Sequence, residues 1–300
     1  MSLNTCILLS TFDKYYPVAK ITSTLIEHFW PSHPPLFVAG LDSAPWAVKC
    51  FPPLAQNSGW CSVLARACSQ LLEEGFDCTY LILDDHPPLN SCHERHLNLT
   101  LPNAMKTLDA TYIGLNGWGY GRSDRQINGS IEPEGFWKLE KVSKDFRWKA
   151  SLHPGLWSLP RLTEVFAMLQ KNSEQATPWG FERLIGSNQL SVTFDQFDTF
   201  YRVCGRCMTA SKGRFYGYWS LYGVFSLMDR AAKLGGFSQG SENRWTKAVG
   251  YYYEGPYPLF WSGLLTQGRA NLTFKEYLKL FRRDELNSLL QTGGMASFGF

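Results

Sequence analysis

Tyr80-Leu81-Ile82-Leu83-Asp84-Asp85 is a short apolar run that ends in two adjacent carboxylates. β-formers bounded by polar residues read as a buried strand, so the Asp pair is expected at that strand's carboxyl end, the edge where open α/β sheets bind ligands. Two neighbouring carboxylates repel unless a cation lies between them. Hard oxygen donors suit Mg²⁺ or Mn²⁺, the usual companions of a diphosphate. The same letters also fit an Asx turn closing a strand, so the rest of the chain has to decide.

Upstream, residues 5–10 read as a first buried strand, residues 17–30 as a helix and residues 35–40 as a second strand. Residues 58–74 place Trp60, Val63, Leu64, Ala67, Cys68, Leu71 and Leu72 at the helical period, with Ser58 as a candidate cap. Residues 78–83 close a β-α-β-α-β series, which implies parallel pairing with right-handed crossovers. Further on, residues 91–109 read as helix or loop and residues 112–116 as a strand. The alternation of Phe146, Trp148, Ala150 and Leu152 reads as a half-buried strand, and Leu159 to Leu169 as a helix. Beyond Asn188 the pattern weakens: residues 251–253 suit a strand, and Thr273-Phe274-Lys275-Glu276 is a capping box opening a helix through Leu290. No repeat or low-complexity linker divides the chain.

The composition is globular, with 44% hydrophobic and 18% charged residues, and the 15% aromatic content suits a stacking or sugar-binding surface. A formal charge of +3 is too small to argue for nucleic acid and fits an anionic small substrate. No apolar segment approaches the ~20 residues of a membrane span, and the N-terminus lacks the basic flank and apolar stretch of a signal peptide. The eight cysteines are scattered, as reduced buried thiols would be, so a cytoplasmic protein is expected and its three glycosylation sequons are read as coincidence. Cys204-Gly205-Arg206-Cys207 is one pair, too little for a structural zinc site. Arg202, Arg206, Lys212 and Arg214, interleaved with aromatics, could face an anionic acceptor or make a peripheral membrane contact.

The first strand runs into Ser10-Thr11-Phe12-Asp13-Lys14-Tyr15, a polar and aromatic cluster at the edge that also carries the Asp pair. Such a cluster suits a base and ribose: a ring for stacking, with hydroxyl, carboxylate and backbone groups for hydrogen bonds. Arg66 could reach a diphosphate as a charge-assisted donor.

Taken together with His28-Phe29-Trp30-Pro31, Pro35-Leu36-Phe37-Val38, Ser151-Leu152-His153-Pro154-Gly155-Leu156-Trp157 and Pro178-Trp179-Gly180-Phe181-Glu182, these stretches resemble GT-A-type glycosyltransferases. More narrowly, they resemble a group of bacterial and viral sugar transferases. The likeness covers roughly the first two thirds of the chain; the last hundred or so residues have no clear counterpart. It implies an α/β, Rossmann-like fold with a mixed, mostly parallel sheet flanked by helices. Residues 1–187 would form the nucleotide-sugar-binding and catalytic core, and residues 188–300 an elaboration packed on it at the acceptor side. It also implies a nucleoside-diphosphate sugar donor, a saccharide or glycoconjugate acceptor, and a divalent cation (Mn²⁺ or Mg²⁺) at Asp85 and Asp84.

The usual acidic signature spaces its two residues by one position, whereas here they adjoin and His86 follows. Which carboxylate meets the metal is therefore open, and Asp84 could instead hydrogen-bond donor hydroxyls. Glu182 is the candidate general base, removing the acceptor's proton in an inverting transfer. Its competing role is to complement a helix N-terminus. Trp179 and Phe181 could stack on a sugar face, His153 could approach metal or acceptor, and Trp157 enters as a substrate contact through the resemblance alone. Two rivals stand beside this reading. A sugar-nucleotide nucleotidyltransferase would normally carry a glycine-rich loop after strand one, where residues 10–15 hold no glycine. A non-catalytic carbohydrate-binding protein would keep the aromatic surface without turnover.

Overall fold

A computed structural model describes residues 3–53, 59–117, 127–131, 138–142, 149–170, 177–178, 180–182, 199–204, 206–211, 214–216, 249–260, 263–266, 268–271, 274–275, 278 and 283–300. Its centre is β1 (Thr5–Ser10), paired in parallel with β2 (Leu36–Ala39) and with β4 (Cys78–Leu83). β3 (Lys49–Phe51) extends this parallel set beyond β2. Side chains of β1 alternate between two cores. Cys6 and Leu8 pack with α2 (Trp60–Glu73) and α4 (Leu159–Gln170), while Ile7 and Leu9 pack with Ala19 and Ile26 of α1 (Tyr16–Phe29) on the other face. With both faces covered, the strand has to read as a continuous apolar run.

The next strand in the sheet is antiparallel. β8 (Gly155–Ser158) lies between β4 and β5 (Tyr112–Gly117), and β9 (Phe200–Cys204) then pairs in parallel with β5. β7 (Lys138–Val142) and β6 (Ile127–Ile131) complete, among the described residues, a nine-stranded sheet in the order 3-2-1-4-8-5-9-7-6. The molecule is thus an α/β, Rossmann-like fold with a mixed, mostly parallel sheet flanked by helices. Of the strand expected from Phe146 to Leu152, Phe146 and Trp148 lie outside the described residues, while Ala150 and Leu152 are buried in a bend and pairing begins at Gly155. Between β4 and β5, a π-helical turn, His96–Thr100, runs without a break into α3 (Leu101–Thr107), and Pro102 sits just past the junction.

The last part of the chain adds a small antiparallel sheet of β10 (Arg206–Ser211), β11 (Arg214–Tyr216), β12 (Val249–Glu254) and β13 (Leu259–Phe260), and a hairpin of β14 (Leu265–Thr266) and β15 (Arg269–Ala270). α5 (Asp284–Thr292) follows. The single helix expected through Leu290 is interrupted, because Arg283 has the non-helical backbone of a cap; Thr273 and Glu276 of the capping box lie outside the described residues. Phe260, Phe274, Leu286 and Leu290 form a third core with Val18, Ile21 and Leu25, so α1 is apolar on two sides, one against the sheet and one against this C-terminal layer.

Cys6, Cys50, Cys61, Cys68, Cys78 and Cys92 are free thiols, and burial pushes Cys6 and Cys61 up to about 12. Among the described residues no helix is long and apolar enough to cross a membrane. The side chains of Arg202, Arg206 and Arg214, and all of Lys212, lie outside the description, as does the Cys204 and Cys207 side-chain pair.

Candidate active site

Pairing of Ser10 with Leu83 brings the loop after β1 alongside the turn after β4. The Thr11 hydroxyl donates to Oδ2 of Asp84 at 2.6 Å, and the Asp84 N–H donates to the Ser10 carbonyl at 3.1 Å. From α1, the Thr22 hydroxyl donates to the Asp84 carbonyl. Asp84 keeps only part of its surface exposed. Desolvation, then the neighbouring charge of Asp85, raise its carboxyl to about 7, against the opposing pull of the Thr11 bond and His86. Ser10 is also buried, its hydroxyl accepting from Trp60 Nε1 at 2.9 Å, whereas Phe12 and Asp13 are exposed at the mouth of the edge.

Asp85 faces the other way. Its Oδ1 lies 2.8 Å from His86 Nδ1, and its carbonyl accepts from the Leu264 N–H at 2.7 Å. Oδ2 lies against Gly263, where a Cβ would come to 2.6 Å. The Tyr257 hydroxyl donates to the His86 carbonyl at 3.0 Å. Sequence reading stops at the Asp pair and misses His86, Tyr257 and Gly263. Only adjacency to the pair could have flagged His86, and nothing local marks the other two.

The sequence puts His153 at the end of a strand; in the fold it precedes one. Because β8 runs antiparallel, its start lies at the carboxyl edge of β4, so His153 reaches the same place by the opposite route. Its ring stands edge-on to that of His86, centroids 5.1 Å apart. Glu182 lies beside them in a helical segment that Thr177 opens. The Thr177 hydroxyl accepts from the Gly180 N–H at 3.0 Å and Pro178 follows it, the pattern of an N-cap and first-turn proline. Glu182 is past that first turn, and its Oε1 accepts from the Leu152 N–H at 3.1 Å. Its carboxylate therefore serves the loop before β8 rather than its own helix terminus. Burial raises its pKa; the Leu152 bond and the charge of His86 work in the opposite direction.

Other expected contacts are placed differently. Phe181 is fully buried among Trp60, Trp157 and Phe166, so it is a core ring and offers no sugar platform. Trp157 is likewise fully buried, its ring 4.5 Å from that of Tyr112. Arg66 is half-buried on α2 and donates to the Pro52 carbonyl. Trp179 lies outside the described residues.

Among the described residues, no three His, Cys, Asp or Glu side chains converge as a ready-made metal cage. An ion that arrives with a diphosphate needs less: one or two carboxylates, completed by phosphate oxygens and water. Asp85 fits that requirement, being a partly exposed carboxylate at the carboxyl edge of the sheet. Asp84, next to it, is engaged with the Thr11 hydroxyl.

No family model matches this chain, and no curated protein matches it. Among solved structures, it is similar to a mannose-1-phosphate geranyltransferase from Thermus thermophilus, at 11% identity over 71% of this chain and 75% of that one, with a TM-score of 0.35. It is similar to the galactosyltransferase LgtC in complex with donor and acceptor sugar analogs, at 12% identity over 60% and 69% of the two chains, TM-score 0.33. An active-site mutant of LgtC gives 12% identity over 57% and 64%, TM-score 0.28. Likeness at this level transfers no residue role, substrate or mechanism.

Proposed function

We propose that the chain is a glycosyltransferase that moves a sugar from a nucleoside-diphosphate donor to a hydroxyl of a saccharide or glycoconjugate, with inversion. The observation that carries the reading is the meeting, at one sheet edge, of the Asp84-Asp85 turn with the Glu182 carboxylate across His86 and His153. Phe12 and Asp13, exposed beside the buried Thr11–Asp84 bond, are suited to stack on the base and hydrogen-bond the ribose. Asp85, the partly exposed carboxylate of the pair, would hold Mn²⁺ or Mg²⁺. Bound there, the ion would neutralise charge on the departing diphosphate.

Glu182 is assigned the proton of the acceptor hydroxyl. A carboxylate with a raised pKa is a better base than an ordinary one, and one fixed by the Leu152 N–H keeps its direction. His153, edge-on to His86, is assigned to the acceptor side of the same space.

The test is a thermal-shift screen of nucleoside diphosphates and their sugars, with and without Mn²⁺. One nucleotide class is expected to stabilise the protein, by about 2.7 kcal/mol when held at ~100 times its dissociation constant. The metal-dependent part of that shift should vanish in Asp85→Asn. A protein that no nucleoside diphosphate stabilises, or a metal effect that survives in Asp85→Asn, overturns the assignment.

A further inference from the structure

Residues 256–260 and 263–264 return from the C-terminal layer and close on the turn after β4. The Pro256 carbonyl accepts from the His93 N–H and the Pro258 carbonyl from the Leu89 N–H, both at 2.8 Å. Between them the Tyr257 side chain is fully buried, edge-on to Trp30 with centroids 6.3 Å apart, and its hydroxyl donates to the His86 carbonyl. The Leu264 N–H to the Asp85 carbonyl, at 2.7 Å, pins the far end. The segment is therefore anchored on both sides of the Asp85-His86 pair.

Gly263 lies inside this clasp, its N–H donating to the Phe260 carbonyl at 3.0 Å. Its φ of +71° is left-handed, and a Cβ built on it would fall 2.6 Å from Asp85 Oδ2 and 3.0 Å from Cγ. Real Cβ atoms do not approach other heavy atoms so closely, so a side chain there must displace the carboxylate. With Oδ1 held 2.8 Å from His86 Nδ1, that displacement costs the His86 contact.

We infer that Gly263 is a positioning residue for Asp85: its missing side chain lets the backbone close against Oδ2, so that the clasp fixes the angle at which the carboxylate would meet a divalent cation. This rests on the proposed cation site at Asp85, and it extends that site to a segment remote in sequence. Second-sphere changes of this kind typically weaken metal binding ~10–100-fold.

Gly263→Ala adds both the clash and the strain of a left-handed alanine, so Gly268→Ala serves as the strain control. Gly268 has φ +75°, and a Cβ there would come no nearer than 3.6 Å to the Tyr15 hydroxyl. Tyr257→Phe loosens the clasp without changing its volume and stands in should Gly263→Ala fail to fold. Mn²⁺ affinity would be read by electron paramagnetic resonance in the presence of the stabilising nucleoside diphosphate, beside crystal structures of the variants. Gly263→Ala is expected to shift the Asp85 carboxylate and weaken Mn²⁺ about 10-fold or more. Tyr257→Phe should weaken it to a smaller degree, and Gly268→Ala should match wild type in Mn²⁺ affinity. An unmoved Asp85 with wild-type Mn²⁺ affinity in Gly263→Ala, or wild-type affinity in Tyr257→Phe where that variant stands in, overturns the positioning role. Wild-type protein that takes up no Mn²⁺ overturns the cation site itself, which is a separate result.

Discussion

Glu182 carries its charge where water reaches it poorly, and among the described residues its carboxylate is fixed by the N–H of Leu152. Its folded pKa is therefore raised above the ~4.3 of an unfolded glutamate. Below that unfolded value both states are protonated and its contribution to stability is complete. As pH rises the unfolded chain ionises first, so the contribution is lost progressively until the folded pKa is passed. Glutamine keeps an oxygen for Leu152 and does not titrate. The stability of Glu182→Gln relative to wild type is therefore expected to improve between about pH 4.5 and pH 8, as urea denaturation at the two pH values would show. A difference that stays constant with pH would mean that this carboxylate is not desolvated. Sequence alone could nominate Glu182 from its place after Pro178, but it could not separate a helix-terminus role from any other. That distinction came from Leu152, a backbone partner outside the helix.

Strands that are buried on both faces announce themselves, which is why β1 and β4 were legible and with them the edge that Asp84 and Asp85 occupy. β8 was not. Four residues, Gly155–Ser158, are too few for a period, and nothing local says that the strand is inserted backwards between β4 and β5. The reason it fits is visible only in the pairing, where Gly155 of β8 lies opposite Gly114 of β5 and the Tyr112 ring covers both. A Cβ at residue 155 would come to 2.3 Å from the ring, which is buried and already packed against Trp157. Gly155→Ala should overpack this core and cost about 1–3 kcal/mol, measurable as a lower urea midpoint. Unchanged stability would mean that the ring has another place to go, and that β8 is not held by it.

Across the whole molecule, the candidate site draws on segments that local sequence patterns cannot connect. The turn after β4, the loop before β8, the helical segment at Glu182 and the clasp at residues 256–260 and 263–264 are brought together by sheet order and by the C-terminal layer on α1. Hence the acidic edge could be read in advance, while Tyr257 and Gly263 could not. The same separation bears on function. If Glu182 is the base and the Asp84-Asp85 turn the donor side, donor binding and proton removal should be separable by mutation. The decisive measurement is calorimetric affinity for the stabilising nucleotide sugar beside acceptor-dependent release of the nucleoside diphosphate, in wild type and Glu182→Gln. Donor affinity within about twofold of wild type with transfer slowed ~10²–10⁴-fold is the predicted result, and transfer at the wild-type rate by folded, donor-saturated Glu182→Gln would contradict it.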